Sequence, residues 1–383
     1  MLVTSALRLK GLGHEDFFVR SGVLESFEHD LNPQVSVTKA AIAAIQRYGW
    51  QDTFEWPHML TGLPQDQTTI DWTLQQLSER SCRAPSTNMR LHLAHWFSQA
   101  PVVLISPNLE RLEAAFAGRK QTDGRLHLAH YVEAAKERLQ FASETAAQCL
   151  LRLERTCAGC ARAEGFPQAL VLRAERLCDH LARTGDRTRL AELVSRWLAC
   201  DLTGEGGMEQ WRAGMAIRLA GLLQLRGALP RLIEMFQVDW DWWDEEIEQA
   251  VAAMNNKAVL SRIVRQFPVL PWNTRNYLSG ALTKARFGGV EECLLRLLEV
   301  ESDSWIRINV GKALALYGST SSMKTACDLL EEHGADLDAS AIMETLYAFY
   351  RVAGAGQPTQ LARWRSMLEI SYQRYKRTRL EEN

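Results

Sequence analysis

Four tryptophans in the second half of the chain recur at a nearly constant interval. Trp211, Trp243, Trp272 and Trp305 are 32, 29 and 33 residues apart. After each comes an apolar, alanine-bearing stretch, a short break, and a second stretch rich in Leu, Ile and Val. A period near thirty residues with two helices in each period marks a helical solenoid. The fold class read from this pattern is all-α, a right-handed superhelix of roughly ten to twelve helix pairs, with an irregular N-terminal half. Function in such a chain is expected on surfaces rather than in a stereotyped pocket.

The array can be laid out directly. One period starts at Trp211 and runs through LRGALPRLIEMF; the next, from Trp243, holds IEQAVAAM and KAVLSRIVRQF. The third, from Trp272, holds LSGALTKA and VEECLLRLLEV, and the fourth, from Trp305, holds INVGKALALYG and MKTACDLLEEH. Breakers separate the two helices of each period: Arg226-Gly227, Asn255-Asn256, Gly288-Gly289 and Gly318-Ser319. Ala220, Ala252, Ala281 and Ala313 follow the tryptophans by eight or nine residues, and their small size suits close helix approach. The tryptophans are then expected to fill the wider space at the start of each first helix. On that reading Trp243, Trp272 and Trp305 are all buried.

The repeats resemble short HEAT-like repeats of the PBS-lyase type. The likeness is clearest in DSWIRINVGKALALYG (303–318) and LRGALPRLIEMF (225–236), and a similar phrase, HEDFFVRSGVLESFE, carries Asp16, Val19 and Arg20 near the N-terminus. The resemblance covers about 125 residues well and implies fold far more than function. The implied organisation is an irregular helical half at 1–200, regular repeats at 208–335, and capping helices with a polar outer face at 336–383. Within 54–110 lie five of the eleven prolines, which shorten helices. VVLIS (102–106) reads as an extended connection between Pro101 and Pro107, and 126–160 reads as one long helix.

Composition narrows the function. Lys and Arg number 44 against 46 Asp and Glu, so a dedicated nucleic-acid coat is disfavoured. No uncharged apolar run approaches the length of a membrane span, and the first residues lack a secretory core. Eight cysteines spread through a long chain suit a reducing cytoplasm better than a disulfide scaffold.

Several clusters bear on chemistry. The decapeptide 239–248 holds six acids and three tryptophans. Acids at a helix start complement its dipole, and Trp243 belongs to the periodic ladder. The surplus makes Asp239, Trp240, Asp241, Trp242, Asp244 and Glu245 candidates for binding a protein partner with a basic segment. The alternative is local packing, with Trp240 and Trp242 folded back onto 228–236. A second cluster is an echo: RLHLAHW at 90–96 returns as RLHLAHY at 125–131. His92, His95, His127 and His130 would hold a metal if the two copies lay side by side; otherwise they are equivalent helices of two repeats. HEAT-like metal oxygenases that hydroxylate proteins use several His-Glu dipeptides. Here only His14-Glu15 has that form, so that chemistry does not carry over. Cys157 and Cys160 form a lone CxxC without the second pair a zinc site needs.

The expected function is a cytoplasmic protein-interaction scaffold or adaptor, with no cofactor, no membrane contact and no catalysis of its own. The alternatives are a HEAT-like enzyme, either a DNA glycosylase-like repair protein or a metal-dependent one, and a regulatory or immunity-type subunit.

Overall fold

The computed structural model describes residues 3–30, 33–50, 57–79, 87–116, 125–200, 207–236, 241–254, 256–284, 289–333, 340–354 and 359–381. Among these there is no strand. The helices are α1 (Ser5–Leu12), α2 (Phe17–Glu28), α3 (Val35–Tyr48), α4 (Gln67–Ser78), α5 (Thr87–Ser98), α6 (Val102–Ile105) and α7 (Leu109–Phe116). Next come α8 (Arg125–Ser143), α9 (Ala146–Cys160), α10 (Gln168–Thr184), α11 (Arg187–Leu198), α12 (Met208–Leu222), α13 (Leu229–Met235) and α14 (Asp241–Met254). The last are α15 (Lys257–Gln266), α16 (Trp272–Leu282), α17 (Val290–Val300), α18 (Ser304–Tyr317), α19 (Thr320–His333), α20 (Ser340–Ala353) and α21 (Leu361–Glu381). The protein is all-helical, and no helix among the described residues is long and apolar enough to cross a membrane.

Two local expectations are corrected. Residues 102–105 form the short helix α6, entered through Pro101 and followed by a 3-10 turn at Ser106–Asn108. Proline tolerates the first turn of a helix, so the two prolines bracket a helical turn rather than a strand. The stretch 126–160 is two helices, not one. Thr145 starts α9 with a capping box: its side chain takes the Gln148 amide N–H while Gln148 takes the Thr145 N–H. That reciprocal cap satisfies donors that an uninterrupted helix would not leave open.

The chain divides by contacts into two compact units. A terminal unit combines Met1–Ala100 with Leu294–Asn383, and a central unit spans Pro101–Cys293. In the terminal unit α2 packs on α20, and α18 packs on α19 and α20. Lys312 pairs with Glu25 at 2.8 Å, and the Tyr347 hydroxyl donates to Asp16 at 2.6 Å, a pairing across 331 residues of sequence. The tail does form the helix α21. Its stripe of Leu361, Trp364 and Leu368 is buried, and its Tyr372 ring lies 4.7 Å from that of Phe17.

In the central unit the helices pair consecutively, α9 with α10, α11 with α12, and α13 with α14. Every second helix also meets the next: α8 with α10, α10 with α12, α12 with α14, and α14 with α16. Ala220, Ala252, Ala281 and Ala313 are all buried in their respective units, as their small size suggested.

The tryptophans do not behave as one ladder. Trp211 and Trp243 are buried, but Trp272 is 46% and Trp305 41% exposed. The expectation that Trp272 and Trp305 are buried is therefore wrong. Trp243 is the third residue of α14, whereas Trp272 is the first of α16 and Trp305 the second of α18. Trp272 lies nine residues before a buried alanine just as Trp243 does, so its exposure follows from its place at the very end of its helix rather than from a rotated face. Trp305, eight residues before Ala313, is turned by about a further 100°.

Candidate functional site

The closest helix contact in this region builds a mixed aromatic and charged face. Along α12, Trp211, Gly214, Arg218 and Gly221 recur at three and four and share one side of the helix. They face Trp242, Glu246 and Ala250 of α14, spaced four apart. The two backbones come so near that a Cβ at Gly221 would lie 2.6 Å from the Ala250 Cα. At Gly214 a Cβ would run into the six-membered ring of Trp242. Glycine at 221 lets the two backbones approach, and glycine at 214 leaves room for the Trp242 ring.

Trp242 joins an aromatic cluster. Its ring centroid is 5.2 Å from Trp211, and Phe166, just before α10, lies 5.9 Å from Trp211 and 6.2 Å from Trp242. Trp211 is buried, Trp242 half-buried and Phe166 55% exposed. The cluster thus presents apolar ring surface to solvent over a rigid base.

One helical turn along α12, the face becomes ionic. Arg218 donates through Nε to Asp179 of α10 at 3.1 Å and through Nη1 to Glu246 of α14 at 3.4 Å. Glu175 of α10 belongs to the same electrostatic group. Burial works against the Arg218 charge, but Asp179, Glu246 and Glu175 outweigh it and hold the guanidinium more firmly protonated than usual. Glu246 is pushed up to about 7, first by burial, with Arg218 opposing and with Glu175 and Asp179 adding repulsion. Burial also raises Glu175 and, further along α14, Glu248. Three acids share one arginine, so the group keeps an excess of negative charge whenever its carboxyls ionise. Cys178 lies behind it, fully buried with its Sγ 3.8 Å from Met215 Sδ, and burial keeps it a thiol.

The acidic-aromatic segment is divided by the structure. Asp239 and Trp240 lie outside the described residues, as does the Asp241 side chain. Trp242 packs on α12 at Gly214 and against the Trp211 ring. Asp244 is buried and Glu245 exposed. The face thus recruits residues that the sequence reading did not single out: Phe166, Glu175, Asp179, Arg218 and Glu246. Only Trp211 and Arg218, seven apart on one helix, gave a local sign of it. The rest comes from stacking helices about thirty residues apart.

The histidine echo falls on α5 of the terminal unit and α8 of the central unit. His92, His95 and His130 are half-buried, and His95 Nε2 lies 3.0 Å from the Gln99 amide nitrogen. The His127 side chain lies outside the described residues. Among the described residues no group of three or more His, Cys, Asp or Glu is placed to hold a metal ion. Cys157 and Cys160 end α9 as buried thiols, pushed up by burial to about 12 and about 11. Neither is a ready nucleophile, because the thiolate is the reactive form.

No protein-family model matches the chain, and no curated protein matches it.

Proposed function

We propose that the chain is an interaction scaffold or adaptor built on HEAT-like helix pairs in a right-handed superhelix, acting in the cytoplasm. On this reading the α10–α12–α14 face takes a basic segment of a protein partner. The stacking of every second helix in the central unit, together with the thirty-residue period, supports the solenoid part. The partner part rests on one observation: solvent-facing Phe166 and Trp242 run directly into the acid-rich group of Asp179, Glu175 and Glu246 around Arg218. An arginine or lysine stacks its cation on an aromatic face, and adjacent carboxylates compensate the charge. Aromatic anchors of this kind dominate binding energy.

The test is capture from the native organism with wild type and with a Phe166→Ala, Trp242→Ala double variant. A partner retained by wild type, lost by the variant at unchanged melting temperature, and released by salt supports the reading. Equal capture by both proteins refutes it.

A second reading has one observation in its favour. A carboxyl with a pKa of about 7 beside a fixed cation suits general acid–base work. A HEAT-like enzyme would then use Glu246, and a DNA glycosylase-like activity would show salt-dependent DNA binding and base release abolished by Glu246→Gln. A metal-dependent enzyme would show bound metal by elemental analysis.

A further inference from the structure

A groove of about 720 Å3 runs along α11 in the central unit. One wall is a single face of α11, with Arg187, Ala191, Val194 and Leu198 at helical spacing. The other is the turn from Gln224 to Ala228 that links α12 to α13, together with Arg231 in the first turn of α13. Three arginines line it, and among the described residues no Asp or Glu does.

Two of those arginines are pinned without being neutralised. Arg187 donates to the Leu223 carbonyl at the end of α12. Arg231 donates to the Leu198 and Cys200 carbonyls at 2.9 and 3.1 Å, at the end of α11. Carbonyls fix the orientation of a guanidinium but leave its charge. The Arg231 pair with Glu234 at 3.3 Å is solvent-exposed and neutralises little. Arg226 adds a third cation from the turn. Arg187 and Leu198, where Arg231 is anchored, are eleven residues apart on α11, about 16 Å at helical rise. Between the two cations the α11 wall is mostly apolar, with Ala191 and Val194 beside Ser195, whose hydroxyl is turned back onto the Ala191 carbonyl.

The turn carries the second observation. Gln224 has φ 52°, and no other non-glycine among the described residues has a positive φ. Its N–H bonds to Gly221 O at 2.9 Å, and the Leu225 N–H bonds to Ala220 O at 2.8 Å. This is the Schellman ending of a helix, whose left-handed position normally holds glycine. Stability alone favours glycine there. The glutamine instead puts an amide, donor and acceptor together, on the groove wall.

We propose that this groove binds an extended acidic peptide segment of a partner protein, with carboxylates at the Arg187 and Arg231 ends and apolar side chains between. About five extended residues span 16 Å. The amide of Gln224 matches a peptide group, which a lipid chain lacks. The site is separate from the Trp242 face and stands or falls independently of it.

The test is fluorescence anisotropy on the full chain, using a labelled peptide of leucines and valines flanked by glutamates, and the same peptide with glutamines. The glutamate peptide is expected to bind at least about tenfold more tightly and to weaken with salt. Arg187→Gln with Arg231→Gln is expected to cost at least about tenfold, as two charge-assisted contacts would. Ala191→Glu sets a carboxylate in the groove at a half-exposed position and is expected to abolish binding, whether or not the arginine variant folds. Gln224→Gly is expected to weaken binding without lowering the melting temperature, which a purely structural role does not allow. Equal binding of the two peptides overturns the proposal. So does undiminished binding by the Ala191→Glu variant, no binding at about 1 mM, or preference for anionic phosphatidylserine vesicles over the peptide.

Discussion

Trp243 and Trp305 open corresponding helices of the sequence repeat, yet one is fully buried and the other 41% exposed. Trp243 stands three residues into α14, in the central unit, and Trp305 two residues into α18, in the terminal unit. Asp303 caps α18 by accepting the Ile306 N–H at 3.1 Å, which sets the helix start and therefore the direction of every side chain after it. A tryptophan spacing of 29 to 33 residues tolerates a shift that a helix face does not. The sequence period counts residues, whereas burial depends on angle.

The largest expected effect breaks or sharpens this contrast. Trp243→Ala is expected to destabilise the protein by about 3–5 kcal/mol, the usual cost of emptying a buried aromatic site. Trp305→Ala and Trp272→Ala are expected to cost under about 1 kcal/mol each. Urea unfolding of the three variants measures it. Similar losses at all three positions would restore the single ladder.

A second contrast lies between two glycines. A Cβ at Gly221 meets the backbone of Ala250, whereas the atoms nearest one at Gly280 are the carboxylate end of the Glu248 side chain, which can swing aside. Gly221→Ala is expected to cost about 2 kcal/mol, because α12 and α14 must separate. Gly280→Ala is expected to cost nothing, since helix propensity favours alanine by up to about 1 kcal/mol. Thermal unfolding compares them directly.

What was legible in the sequence follows the range of each signal. Helices were readable from three-four spacing, and the alanines after each tryptophan were correctly placed inside. The two local misreadings, α6 and the break at Thr145, arose where a proline or a capping pair outweighs apolar periodicity. Trp242 stood out in the sequence as part of a surplus of acids and tryptophans, but nothing there pointed to its contact with Gly214 on α12. The ionic half of the face was hidden because Asp179, Arg218 and Glu246 each look ordinary on their own helices. They meet only because α10, α12 and α14 stack. The pairing of α2 with α20 was equally hidden, since no local signal links residues 331 apart.

The ionic face gives a pH contrast with exposed carboxyls of ordinary pKa. Burial holds Glu246 near 7, against 4.5 as the ordinary value. The folded chain therefore keeps a proton that the unfolded chain has released, and stability falls as pH rises from 4.5 through about 7. The groups facing Glu246 are Arg218, Glu175 and Asp179. Glu246→Gln is expected to flatten that fall and to stabilise the protein above pH 7 by on the order of 2 kcal/mol. Melting temperatures from pH 5 to 8 would show it. A loss of stability on substitution at pH 8 would mean that the Arg218 pair outweighs the burial.

The smallest effect compares two segments with the same local device. In α2 and in α18 an aspartate caps the helix, and an arginine four residues later turns back to carbonyls before it. Asp16 accepts the Phe18 N–H at 3.0 Å, and Arg20 donates to His14 O and Glu15 O at 2.6 and 2.8 Å. Asp303 accepts the Ile306 N–H, and Arg307 donates to Leu298 O and Glu301 O at 3.0 and 3.2 Å. Here the resemblance between distant segments does transfer, because the whole device lies within ten residues of sequence. Asp303→Ala is expected to cost about 1 kcal/mol, the worth of a cap. Asp16→Ala is expected to cost about 1 kcal/mol more, because Asp16 also accepts from Tyr347 at 2.6 Å and pairs with Arg365 at 3.3 Å. Asp16→Asn keeps the cap and should recover most of the first part but not the second. In the Asp16→Ala background Tyr347→Phe should be nearly neutral, since the hydroxyl has already lost its acceptor, whereas in wild type it should cost about 1 kcal/mol. Equal costs for Asp16→Ala and Asp303→Ala would show that the contact of α2 with α20 gains nothing from Asp16 beyond its cap.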